Sequence, residues 1–203
     1  MSLDDDTVPR PSGPGRPGGD HLLAEPDELL VRRAALGDRA AFATMVRRHG
    51  PAMFRYAATM LDHNVHDAED TVQNAFTKVW RELPRFRGES SLRTWLFRIT
   101  ANEALAYRRR RRPIPLDNEL LTPLVGRSID DPERQVSIEE LERALVLALG
   151  ELPWRQRACW VLAEQEGLSY VEIAQALGTS VTVVRGQLAR ARRTLAVRMN
   201  QWA

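Results

Sequence analysis

Leu168-Ser169-Tyr170-Val171-Glu172-Ile173-Ala174-Gln175-Ala176-Leu177-Gly178-Thr179-Ser180-Val181-Thr182-Val183-Val184-Arg185 reads as two helices joined by a tight turn. Ser169 is placed to cap the first helix, and Glu172 stands three residues on, where a capping-box partner belongs. Ile173, Ala174 and Leu177 form its inward stripe, with Ala174 small where two helices must cross closely. Gly178 supplies the positive φ that stops the helix and turns the chain. A second helix starts near Ser180. At about 100° per residue, Val181, Val184, Leu188, Ala191 and Leu195 share one stripe. Thr182, Arg185, Gly186, Ala189, Arg190 and Arg193 lie opposite. An arginine face alone is usually a solvated surface. Behind the spacing Ala174, Gly178, Val184 it becomes the reading face of a helix-turn-helix, which enters the major groove of duplex DNA.

Outward from this stretch the whole chain reads as helix, with no strand signal and no internal repeat. Residues 1–26 hold Pro9, Pro11, Pro14, Pro17 and Pro26 among glycines, and are expected to be a disordered tail. Leu29, Leu30, Arg33 and Ala34 pattern a short helix stopped by Gly37. Asp38 caps a second, carrying Phe42, Met45, Val46, His49, Met53, Phe54 and Ala57 at helical spacing. Asp62 to His66 is a loop, and Asp67 is expected to open a third helix with core stripe Val72, Ala75, Phe76, Val79 and Leu83. Ser91 caps a fourth that runs to about Arg110 and buries Leu92, Trp95, Leu96, Ile99, Glu103 and Ala106. Pro113 and Pro115 close this first domain, 27–112. Residues 113–132 are expected to be a flexible linker, and 133–203 a second helical domain. The fold class is all-α, two small domains with the helix-turn-helix in the second.

The net charge of +2 hides two basic blocks. From Arg81 to Arg112 only Glu82, Glu89 and Glu103 oppose ten arginines, five of them the run Arg108 to Arg112. From Pro113 to Arg143 acids dominate, and the final helices turn basic again. Two cationic blocks suggest two contacts with a polyanion. In the first block, Arg93, Thr94, Phe97, Ala101, Ala104 and Arg108 lie opposite the core stripe, and Phe86 sits in the basic loop 85–91. Arginines interleaved with rings suit unpaired bases, which stack on rings for about 1–3 kcal/mol each. The simpler alternative is that Phe86 folds back into the core and Phe97 meets another helix.

Several functions lack their residues. The single cysteine, Cys159, precludes an internal disulfide or a cysteine zinc site and is expected to be a buried small residue. His21, His49, His63 and His66 have no companions at metal-ligand spacing, so no metal and no cofactor is expected. There is no phosphate-cradling glycine loop and no nucleophile triad, so no enzyme is expected. No apolar run reaches the roughly eighteen residues of a membrane helix. Asp4, Asp5 and Asp6 stand where a signal peptide would be basic, so a cytoplasmic protein without membrane insertion is expected.

Asp67-Ala68-Glu69-Asp70-Thr71-Val72-Gln73-Asn74-Ala75-Phe76-Thr77-Lys78-Val79-Trp80 resembles the signature helix of extracytoplasmic-function (ECF) sigma factors of the sigma-70 family. So does Phe86-Arg87-Gly88-Glu89-Ser90-Ser91-Leu92-Arg93-Thr94-Trp95-Leu96-Phe97-Arg98-Ile99, followed by Asn102 and the arginine run. With the helix-turn-helix, the resemblance spans nearly all of Asp27 to Trp202. It implies an initiation factor that binds core RNA polymerase, selects promoters and helps open them. Asp67, Asp70, Gln73, Asn74, Thr77 and Trp80 would dock on the clamp helices of the large polymerase subunit, with a further contact to its flap. Arg85, Phe86, Arg87, Ser90, Arg93, Thr94, Phe97, Arg98, Asn102 and Arg108 would melt and read the −10 element of promoter DNA. Ser180, Thr182, Arg185, Gly186, Ala189, Arg190 and Arg193 would read the −35 element. An anti-sigma factor is the implied inhibitor.

Gly186 and Ala189 depart from the family's pattern of a serine and a larger side chain, which removes contacts from the middle of the reading face. The chain ends soon after that helix, so no C-terminal sensor domain is expected. The alternative reading is a dimeric helix-turn-helix repressor or activator, which would protect a palindrome. It leaves the basic aromatic loop without a purpose.

Overall fold

The structure, a computed structural model, describes residues 25–111 and 137–200. Most of the expected tail, the Pro113 and Pro115 stop and the linker 113–132 lie outside them. Eight α-helices make up the described residues, and no strand occurs among them.

α1 (Asp27–Ala35) carries Asp27 and Glu28 in its first turn and Arg32 and Arg33 in its last, matching the helix dipole at both ends. Gly37 turns the chain at φ +91°. Asp38 then caps α2 (Arg39–Met60), accepting from the amides of Ala40 and Ala41 at 2.9 and 3.1 Å. α3 (Val65–Glu82) starts two residues before the expected Asp67. Asn64 is the cap, accepting from the Asp67 amide at 3.2 Å. Its extended backbone aims the short amide side chain at a free N–H, as a cap requires. Asp67, released from capping, accepts instead from the Tyr107 hydroxyl and from Arg111 on the next helix. A 3₁₀ turn, Leu83–Arg85, ends α3. Ser91 accepts from the Thr94 amide at 3.1 Å and opens α4 (Leu92–Arg111).

These four helices enclose a core of Leu30, Met45, Met53, Phe76, Val79, Leu83, Trp95, Leu96 and Ile99. The stripes expected of α3 and α4 supply much of it. Phe42 and Val46 lie only partly buried at its edge.

The second half begins with α5 (Ile138–Glu151), set by a reciprocal capping box between Ser137 and Glu140. α6 (Trp154–Trp160) runs into a π-helical turn, Val161–Gln165. α7 (Tyr170–Leu177) and α8 (Val181–Met199) form the helix-turn-helix. Ala148, Leu149, Leu152, Ala191 and Leu195 tie α5 to α8.

The largest difference from expectation lies between the halves. The sequence reads as two small helical domains joined by a flexible linker. In the structure one apolar cluster runs from Tyr56, Met60, Phe97, Ala101 and Ala104 into Cys159, Val161, Leu162, Ile173, Val184 and Leu188. The outer stripe of α4 holds Phe97 and three small or uncharged residues, Thr94, Ala101 and Ala104. Such a surface has more to gain from burial than from water.

Candidate nucleic-acid interfaces and docking face

The helix-turn-helix is built as its residues dictate. Ser169 Oγ accepts from the Glu172 amide, and Glu172 reaches back to the Ser169 amide at 2.9 Å. The carboxyl of Glu172 is held below its ordinary range, first by that Ser169 amide, then by the Ser169 hydroxyl, with smaller help from Thr94 and Arg93. Gly178 sits at φ +60°, ψ +45° and ends α7. Ser180 caps α8 through the Val183 amide at 3.3 Å. Val184, Leu188, Ala191 and Leu195 are buried. Ser180, Thr182, Arg185, Ala189, Arg190 and Arg193 are exposed, and Gly186 is half-buried. The guanidinium of Arg190 lies over Gly186, 3.7 Å from where a Cβ would stand. All seven residues assigned to the −35 element therefore lie on one helix and its cap, six of them open to solvent.

On α3, Asp70, Gln73, Asn74 and Thr77 are exposed and Trp80 is 36% exposed. Asp67 faces α4 through Tyr107 and Arg111 rather than standing beside them. Gln73, Thr77 and Trp80 border an open groove of about 780 Å³ between α2 and α3. Phe42, Val46, Gly50 and Phe54 form its other wall, with Val72 and Phe76 beneath. The Phe42 and Trp80 rings meet edge-on at 4.8 Å. Sequence reasoning set Phe42, Val46 and Phe54 at helical spacing along α2 and missed the groove. Their four-residue spacing around Gly50 was the available signal.

The residues assigned to the −10 element divide. Arg85, Arg87, Arg98 and Asn102 are exposed, and Ser90 is half-exposed. Phe86 folds back against Trp95, with ring centroids 4.7 Å apart, as the simpler alternative has it. Phe97 is 1% exposed and meets Tyr56 edge-on at 5.8 Å. Thr94 is buried as well. Arg93 stacks over the Phe97 ring at 5.5 Å, and Arg108 lies over Trp154 at 5.4 Å. The face expected to be wet is thus covered, because the second half of the chain packs on it.

That cover is charged at its edge, which sequence reasoning did not find. Glu166, its side chain fully buried, pairs with Arg55 at 3.1 Å and Arg93 at 3.2 Å. The Thr94 hydroxyl is 3.4 Å from Glu172. Arg157, 1% exposed, donates to the Thr59 carbonyl at 3.3 Å, to Asp62 at 2.7 Å and to the Gly150 carbonyl. Asp62 itself holds a left-handed φ of +55°. Cys159 lies in the shared cluster, and burial pushes its thiol up to about 12. Among the described residues no group of side chains is arranged to hold a metal, and no helix is long and apolar enough to cross a membrane.

Two family matches follow the same division. Residues 45–114 match Sigma-70 region 2, and residues 142–195 match Sigma-70 region 4. The chain is 34% identical to the ECF RNA polymerase sigma-E factor of Haemophilus influenzae over 174 residues, 82% of this chain and 91% of that protein. It is 38% identical to the RNA polymerase sigma factor NccH of Alcaligenes xylosoxydans xylosoxydans, over 83% of this chain and 92% of that one. The solved structure of CnrH in complex with the cytosolic domain of CnrY aligns with a TM-score of 0.65 and 31% identity, covering 86% of this chain and 97% of that one. With both sigma regions in order and relatives aligned over nearly their whole length, the chain belongs to the extracytoplasmic-function sigma factors of the sigma-70 family, alternative factors that direct RNA polymerase to promoters.

Proposed function

We propose a division of this work among three faces. The first module, 27–112, docks on polymerase and reads the −10 element, and the second, 133–203, reads the −35 element, with 113–132 connecting them. The α2–α3 groove, with Trp80, Thr77, Gln73, Asn74 and Asp70 on its rim and side, takes the clamp helices of the large polymerase subunit. An open apolar groove with a half-exposed tryptophan has the makings of a protein hot spot. Asp67 serves this face indirectly, by fixing α3 to α4. Ile138, Leu141 and Leu147, exposed on α5, offer an apolar face to the polymerase flap.

The exposed α8 residues read the −35 duplex. Side chains at 182, 185, 190 and 193 reach bases and phosphates, while Gly186 and Ala189 leave its middle to backbone and groove shape. Arg85, Arg87, Arg98 and Asn102 track the −10 backbone, and Arg93, Thr94, Phe97 and Arg108 complete that surface once it is uncovered. Phe86 supports the loop from beneath. The chain performs no chemistry of its own; polymerase makes the RNA, in the cytoplasm. An anti-sigma factor is the expected regulator, and the relative bound to a cytosolic domain of another protein supports a partner of that kind.

The observation that carries this reading is the recognition helix, with Val184, Leu188, Ala191 and Leu195 buried and Arg185, Arg190 and Arg193 left in solvent. The test is run-off transcription with purified core polymerase on a promoter library. Trp80→Ala should weaken polymerase association with little change in promoter preference. Arg185→Ala should leave association intact and lower use of promoters that depend on their −35 element. Unchanged transcription by both variants would refute the assignment of these faces.

A further inference from the structure

A cavity of about 170 Å³ lies where α4, α6 and the helix-turn-helix meet. Asn102 and Arg109 border it from α4, Arg155 and Cys159 from α6, and Gln187 from α8. Leu105, Trp154, Ala158 and Leu177 give it apolar walls. An apolar protein cavity of about 150 Å³ is large enough for benzene. This one also carries polar groups of two kinds. Arg109 and Arg155 are exposed at its edge, and no carboxylate is among the described residues that line it. Gln187 is 8% exposed, and its Oε1 has no hydrogen-bond partner among the described residues. A buried acceptor without a donor is unfavourable, so a ligand that brings the donor relieves that cost on binding.

We propose that this cavity binds a small organic anion: a ring-sized apolar body, an acidic group for Arg109 and Arg155, and a hydrogen-bond donor for Gln187. Ligand sites have this make-up, a mostly apolar cleft with a few placed polar groups. Guanidinium groups hold a carboxylate through charge-assisted hydrogen bonds. Arg109, Arg155 and Gln187 take no part in the faces assigned above, and of the lining residues only Asn102 is shared with them. A ligand here touches α4 and the helix-turn-helix at once.

The probe is 4-aminobenzoate, which has a ring, a carboxylate at one end and a donor at the other. Binding to the full chain is read by ligand-observed NMR, beside benzoate, which lacks the donor, and 4-aminobenzamide, which lacks the charge. 4-Aminobenzoate should bind saturably with a Kd of about 0.1–1 mM, the range for a ligand of its size. Each analogue should bind about fivefold more weakly. Gln187→Leu should abolish the advantage of 4-aminobenzoate over benzoate, and Arg155→Gln should reduce its advantage over 4-aminobenzamide. Cys159, the one thiol of the chain, lines the cavity. Probe at about ten times its Kd should therefore slow maleimide labelling of Cys159 about tenfold.

Gln187→Leu removes an unpartnered acceptor and should melt no lower than wild type. If it melts lower, the analogue series and the protection of Cys159 in the wild-type chain carry the test. Absence of saturable binding by every probe, the result if water alone fills the cavity, would overturn the proposal. So would three probes of equal affinity, or binding that leaves Cys159 labelling unchanged and so lies elsewhere on the chain.

Discussion

Gly178 and Gly186 are both glycines of the helix-turn-helix, and they predict opposite effects. Gly178 holds φ +60° with open space around its missing Cβ, so Gly178→Ala meets backbone strain and no clash. It should cost about 1–2 kcal/mol in thermal or denaturant unfolding. Gly186 sits inside α8 with ordinary van der Waals room, so Gly186→Ala should stabilise by about 1 kcal/mol. If the backbone must approach DNA closely there, the same variant will lose −35 affinity while gaining stability. Glu172 adds a pH dependence. Its folded carboxyl is held low by the Ser169 amide above all. The stability it contributes is therefore complete above the ordinary carboxylate pKa of about 4.3 and is lost as pH falls through the lower folded value. Glu172→Gln should flatten that part of an acid-unfolding curve.

Single elements fail in ways that can be separated. Ser137→Ala removes half of the box that starts α5 and should cost about 1 kcal/mol, with no change in the first half of the chain. Arg157→Ala reaches further, because its guanidinium binds Thr59 and Asp62 at the end of α2 as well as Gly150 at the end of α5. It should destabilise by about 2–3 kcal/mol, with Cys159 labelled faster by thiol reagents. What the sequence disclosed at this scale follows from range. Caps at Asp38, Ser91 and Ser169 were legible because donor and acceptor are neighbours in the chain. Asn64 was missed because Asp67 offers an equally suitable side chain three residues on. The period of α4 sorted its core stripe from Leu92 to Glu103, with Ala106 only half-buried, and its outer stripe was read as wet because nothing local reveals a cover. Arg157 and Glu166 meet partners 95 and 111 positions away, beyond any pattern of spacing.

On the proposed assignment the molecule combines two DNA-binding surfaces of different accessibility. The helix proposed for the −35 element is open, whereas part of the face proposed for the −10 element is covered by the half of the chain that carries that helix. Each surface presents only a few cations, so neither alone is expected to hold DNA tightly at physiological salt. Held together on polymerase, two modest contacts multiply through their shared scaffold. A dimeric regulator would instead read two copies of one half-site and need no polymerase. The most direct measurement is promoter affinity and footprint of the full chain with and without core polymerase, across a series of salt concentrations. The account predicts weak, salt-sensitive binding alone, and tight protection of two unlike elements once polymerase is present. Equal affinity in both conditions, or a palindrome protected by the chain alone, would contradict it.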